Sequence, residues 1–199
     1  HQHRGTASSY FLSGELVDFQ CTTRAGAVGI NLAGATHDAV TYGGCTLFSR
    51  LEAPVTIEPD GAAIHPHAKK TTVVNESPFT PPDITVVLDE VVPVASPFAR
   101  VSRRAVFDYA GTGHNRRLCM LQLWPGAHLP DLQHQGLTDW FVMAGDLRIG
   151  DTRVAGPSVV VIEPGSRVDV SSTFGCSLLA WAEAPAHAGG DPALEPYGF

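Results

Sequence analysis

HQHRGTASSYFLSGEL, residues 1–16, returns later in the same chain as LQHQGLTDWFVMAGDL, residues 132–147. The match continues: AGATHDAVTYGGCTLFSRLEAP (33–54) lines up with PGSRVDVSSTFGCSLLAWAEAP (164–185). His134 and His3, Gly145 and Gly14, Gly165 and Gly34, and Cys176 and Cys45 are each 131 residues apart. A constant offset leaves no net insertion between paired features, so both stretches are expected to follow the same backbone path. The copies differ in one chemically telling respect. His1 is matched by Leu132 and His37 by Val168.

Strand signals dominate the chain. Ser9–Leu16, Thr46–Leu51, Asp83–Leu88, Leu118–Leu123, Trp140–Ile149, Ser158–Ile162 and Ser177–Ala182 are short, rich in Val, Phe, Leu and Thr, and bounded by Gly, Pro, Asp or Asn. No stretch of ten residues carries helical periodicity. With 20 Gly and 15 Pro punctuating short apolar runs, the economical architecture is all-β, two sandwiches or barrels in tandem. We place the first unit at residues 1–57, a Pro-rich connector at 58–82 and the second unit at 83–199. The second unit has about fifty residues ahead of its repeated stretch and the first has none. The first barrel is therefore expected to lack N-terminal strands and to leave a sheet edge open.

Composition narrows the function. Hydrophobic content of 44% against 17% charge is that of a well-buried globular chain, not a disordered one. A net charge of −7 argues against a nucleic-acid partner, since phosphate binding needs a basic surface. No apolar run approaches the length of a membrane span, and no secretory leader is visible, so a cytoplasmic protein is expected. Cys21, Cys45, Cys119 and Cys176 show no CxxC spacing and are read as buried free thiols. No phosphate loop, GxSxG elbow or HExxH is present.

His1, His3 and His37 carry the candidate chemistry. Alternate residues of a strand share a face, so His1 and His3 can address one interior point. His37, after the turn at Gly34, can reach the same point from a neighbouring strand. Imidazoles converging from two strands hold Fe2+, Zn2+, Cu2+ or Ni2+ and leave positions open for water or substrate. Tyr10, Asn31 and Phe48 are candidates to line the mouth of this barrel and contact substrate. Glu15 and Asp18, the nearest carboxylates, are read as solvated strand residues.

The spacing resembles the cupin superfamily. The first cupin motif runs HxH, a few residues, Glu, six residues, Gly. Here His1, His3 and Gly14 fall in place and Ala7 stands where the ligand Glu would be. In the second motif Gly26, Gly34 and His37 are kept, while Leu32 and Thr41 replace its Pro and Asn. The resemblance implies a two-barrel cupin, with a three-His site formed by His1, His3 and His37 and no carboxylate ligand. Such a site keeps the full charge of its ion, Fe2+ first with Zn2+, Ni2+ or Mn2+ as alternatives. It resembles the three-His cupin dioxygenases that act on diketones and hydroxyaryl ketones, and implies a small keto or enol substrate. The segment GGCTLFSRL (43–51) resembles bicupins of the ChrR type, which implies the alternative of a non-catalytic sensor. A small-molecule ligand and a homodimer are the expected partners. In the second unit Leu132, His134, Thr138 and Val168 occupy the four ligand positions, so that barrel is expected to be structural.

Overall fold

The computed structural model describes residues 1–18, 21–37, 39–56, 83–108, 115–189 and 191. The expected connector, residues 58–82, lies outside them. The chain divides into two compact units, His1–Glu90 and Val91–Phe199. Apart from a short 3-10 turn at Leu88–Glu90, the regular structure of the described residues is β.

The first unit contains β1 (Gln2–His3), β2 (Ala7–Val17), β3 (Thr22–Arg24), β4 (Ala27–Asn31), β5 (Cys45–Leu51), β6 (Val55–Thr56) and β7 (Asp83–Val87). β1 pairs with β6, and a five-stranded sheet runs β3-β2-β4-β7 with β5 on the other side of β2. The second unit contains β8 (Val94–Ala95), β9 (Val101–Asp108), β10 (Arg117–Leu123), β11 (Ala127–His134), β12 (Thr138–Ile149), β13 (Thr152–Ala155), β14 (Ser158–Ile162), β15 (Arg167–Ser172), β16 (Cys176–Ala182) and β17 (Ala186–Ala188). Its ten strands run β17-β11-β15-β12-β16-β10-β9-β8, with β13 and β14 also on β12. All pairings are antiparallel. Each unit is thus a curled half-barrel of sheet.

The repeat is kept pair by pair. Ala7 pairs with Asn31 and Tyr10 with Val28; their counterparts Thr138 and Phe141 pair with Ile162 and Val159. The bulge between Phe11 and Ser13 recurs between Val142 and Ala144. Two residues on, Gly14 takes a left-handed φ of 73° and Gly145 one of 88°. A Cβ at either would come within 2.0 Å of a carbonyl oxygen, of Gly44 and of Gly175 respectively. Only glycine fits a corner that combines left-handed backbone with so close an approach.

The copies part at their edges. Among the described residues β5 pairs with β2 alone, whereas its counterpart β16 pairs with both β12 and β10. One sequence assignment is corrected: Asp83–Val87, expected to open the second unit, pairs with β4 and belongs to the first. Its alternating Ile-Thr-Val pattern marks a strand but does not say which sheet will take it.

The second core is filled by apolar side chains. Leu121, Leu123, Leu129, Leu132, Trp140, Val142, Leu147 and Leu178 are at most 1% exposed and form one cluster, with Val168 packed against it. Cys119 and Cys176 are buried there as free thiols, while Cys21 and Cys45 are half-buried and also unbridged.

Candidate metal centre

β1 and the segment that ends at His37 are tied together by the backbone. His3 N–H donates to Ala35 O (2.9 Å), Gly34 N–H to His3 O (2.7 Å) and His37 N–H to His1 O (3.1 Å). Gln2 bridges Thr36 in the same antiparallel sense. His1 and His3 project to one face of their strand, and His37 is held opposite them.

The three imidazoles meet at their Nε2 atoms. His37 Nε2 lies 2.6 Å from that of His1 and 3.0 Å from that of His3. The remaining side, His1 to His3, is 3.2 Å. Three ring nitrogens in so tight a triangle cannot all be satisfied by bonding to one another, because each offers either one N–H or one lone pair. Nitrogens about 2.1 Å from an ion at right angles would be about 3.0 Å apart. The triangle therefore suits three facial positions on one divalent cation. His3 is 4% and His37 7% exposed. Burial, helped by the charge of His37, pulls His3 down to about 4, which keeps its ring neutral and able to ligate at neutral pH.

Asp18 is the residue that sequence reasoning misplaced. It was expected in solvent, yet it is buried, and its Oδ2 lies 2.6 Å from His37 Nδ1. The cause is a non-local pairing: Val17 and Val40 exchange backbone bonds, which brings the end of β2 beside the His37 segment. A carboxylate on Nδ1 leaves the Nε2 lone pair free for a metal and fixes the ring. Glu15 behaves as expected, forming an exposed ion pair with Arg24 at 3.0 Å. His3 Nδ1 has no hydrogen-bond partner among the described residues.

A cavity of about 70 Å³ adjoins His37, lined among others by Ser9, Phe11, Asp18, Gly29, Asn31 and Asp83. Asn31 is thus brought to the site, where its side-chain N–H donates to Asp83 Oδ1 at 2.6 Å. Tyr10 and Phe48 are not among the residues around it. They pair across β2 and β5, one residue out of phase with the cavity-lining Ser9, Phe11 and Leu47, and so face the other side of the sheet. The phase of a strand with a downstream bulge is not visible in its sequence.

The second unit shows what the same frame looks like when closed. Trp140, Val160 and Ile162 stand at the positions of Ser9, Gly29 and Asn31, and all three belong to or pack on its core. Trp140 meets the ring of His134 edge-on, centroids 5.5 Å apart. His134 itself bonds Thr138 through Nδ1 (2.9 Å) and burial lowers it to about 4. Leu132 is fully buried where His1 would be.

No family model matches the sequence, and no curated protein matches it either. Solved structures do. A glyoxylate-induced protein from Pseudomonas aeruginosa superimposes with a TM-score of 0.67 at 16% identity, over 92% of this chain and 68% of that one. A point variant of the Bacillus subtilis oxalate decarboxylase gives 0.63 at 12%, over 92% and 64%. A further structure of that enzyme, described for its Mn(II) centres, gives 0.62 at 13% over the same shares. Both proteins are cupins, and the match takes in both units: the chain has the two-barrel cupin fold. It spans 64% of the decarboxylase chain. At these identities the likeness establishes fold. Among the described residues no helix is long and apolar enough to cross a membrane.

Proposed function

We propose that the first unit is a mononuclear divalent-metal centre held by His1, His3 and His37, and that the chain is a metal-dependent cupin dioxygenase acting on a small keto/enol or hydroxyaryl ketone. The convergence of the three Nε2 atoms within 3.2 Å of one another carries this reading. Fe2+ is the ion we favour, with Zn2+, Ni2+ and Mn2+ as alternatives. When bound, it supplies Lewis acidity and, as iron, electrons to dioxygen.

The chain's own residues set the rest. Asp18 keeps the His37 proton on Nδ1, so Nε2 is a lone-pair donor. The adjoining cavity, about 70 Å³ in volume, is walled by Phe11, Leu47 and Ile84 on its apolar side. Its polar side offers Asn31 and the hydroxyls of Thr23 and Thr85, which lie 2.9 Å apart. Among the described residues no Lys or Arg lines it, whereas the carboxyl groups of Asp18 and Asp83 do. A dicarboxylate such as oxalate would bring a second negative charge beside these carboxyl groups. A neutral ketone with one ionisable enol or hydroxyl proton suits it: as a monoanion it offsets part of the charge of a three-imidazole ion.

The test is metal analysis of the purified protein followed by oxygen consumption with β-diketones and hydroxyacetophenones, oxalate serving as the control. The proposal expects bound iron and turnover of a ketone but not of oxalate. Bound metal without turnover would replace the oxygenase by a ligand-sensing cupin, and turnover of oxalate would overturn the substrate class.

A further inference from the structure

A polar chain leads from His37 into the sheet. Asp18 sits on His37 Nδ1 at 2.6 Å, the Asp83 carboxyl lies beside Asp18, and Asn31 donates to Asp83 at 2.6 Å. Potential ligand atoms of Asp18, His37 and Asp83 all lie within 4.8 Å of one another. Asp83 reaches this point because β7 pairs in register with β4, Asp83 opposite Asn31. Burial and the charge of Asp18 raise Asp83 above the usual carboxylate range, the Asn31 bond opposing.

The second unit loses this chain as a set. Ile149, Ile162 and Val168 replace Asp18, Asn31 and His37 at the constant offset. Among the described residues β14, the counterpart of β4, pairs with β12 alone and has no strand in the place of β7. The barrel folds around apolar residues at those positions, so the frame itself does not need the polar ones. A buried polar chain is seldom better for stability than an apolar substitute. Its presence only where the histidines converge ties it to them.

We propose that Asp83 is a positioning residue of the metal centre: by holding Asp18 in place it fixes the orientation and tautomer of His37, and β7 is the strand that completes the site. This rests on the metal reading above. Outer partners of ligating histidines characteristically change metal affinity by about 10- to 100-fold when removed.

The experiment compares Co2+ binding and the Co2+ visible spectrum in the full chain and in Asp83→Leu, Asp83→Ala and Asp83→Asn. The ring nitrogen shifts of His37 are read by NMR without metal. An amide can still donate to Asp18 and accept from Asn31, so Asp83→Asn should stay within threefold of the parent and keep its spectrum. Asp83→Leu and Asp83→Ala should lose about 10- to 100-fold in affinity, shift the Co2+ bands, and show a mixed His37 tautomer. Of these two, Asp83→Ala is the smaller disturbance and serves if Asp83→Leu does not fold. Parent affinity, spectrum and tautomer in a folded Asp83→Ala protein would overturn the proposal and leave the metal site standing. A parent that takes up no Co2+ would overturn both.

Discussion

Trp140 and Ser9 occupy one position in two copies of the same barrel, 131 residues apart on strands paired in the same register. Trp140 is fully buried against the ring of His134, whereas Ser9 borders an open cavity. One frame is thus packed solid where the other keeps room beside a histidine cluster. Differences of side-chain volume at three positions, 9, 29 and 31, account for the contrast.

Refilling the first barrel should separate ligand binding from metal binding. A Cβ at Gly29 would meet only Phe11 Cε2 at 3.6 Å and Thr23 at 3.8 Å, ordinary contact distances. Gly29→Val should therefore fold, retain the metal and lose small-ligand affinity by tenfold or more, on the order of 1.4 kcal/mol. Calorimetric titration with the best ketone ligand, alongside metal content, checks this. An unchanged ligand affinity would place the substrate elsewhere.

Asp18→Asn replaces the charged acceptor on His37 Nδ1 with a neutral amide that can also donate, so the proton is no longer held on Nδ1. Metal affinity should fall by about 10- to 100-fold, with only a small change in the melting temperature of the metal-free protein. Competition with a chromophoric chelator measures the first and thermal unfolding the second. Equal affinity in parent and variant would mean that His37 needs no such partner.

Acid should weaken the second barrel through His134. Its folded value, about 4, lies below the ordinary 6.5 because burial penalises the charged ring. The unfolded chain binds the extra proton first, so stability is full above pH 6.5 and declines as pH falls from 6.5 toward 4. The whole effect is about 3 kcal/mol. His134→Gln, which can keep a bond to Thr138, should flatten the fall in urea-unfolding stability across that window. His3 follows the same direction in metal-free protein, and metal, which holds its ligand rings deprotonated, should steepen the residual slope.

Trp140→Ala should cost the second unit about 3–5 kcal/mol by leaving a large hole in a close-packed core. Ser9→Ala at the twin position should change stability by under 1 kcal/mol, since Ser9 faces a cavity. Denaturant midpoints of the two variants test the claim that one barrel is structural and the other hollow.

Much of this was legible in the residues. All seven strands expected from composition exist, Ser158–Ile162 to the residue, and the offset of 131 foretold matched pairings. The histidines converge because strand alternation and the turn at Gly34 are local properties. What the sequence hid was non-local. β4, with Gly29 in its middle, lacks a clear alternating signal, and β11 is interrupted by Pro130 and Asp131, where its pairing register shifts. The sheet that would accept Asp83–Val87 depends on a pairing across more than fifty residues. Asp18 looked like a surface carboxylate because the bond to His37 depends on the Val17–Val40 bridge. Tyr10 and Phe48 were placed on the wrong face because the closed face is set by packing.

The most direct test of the account is X-ray absorption on iron- or zinc-loaded protein, with metal content measured by mass spectrometry in parent and His3→Ala. One ion per chain with three imidazole ligands at about 2.1 Å is expected, with near-complete loss of the ion in the variant. An ion without imidazole ligation, or undiminished binding in His3→Ala, would contradict it.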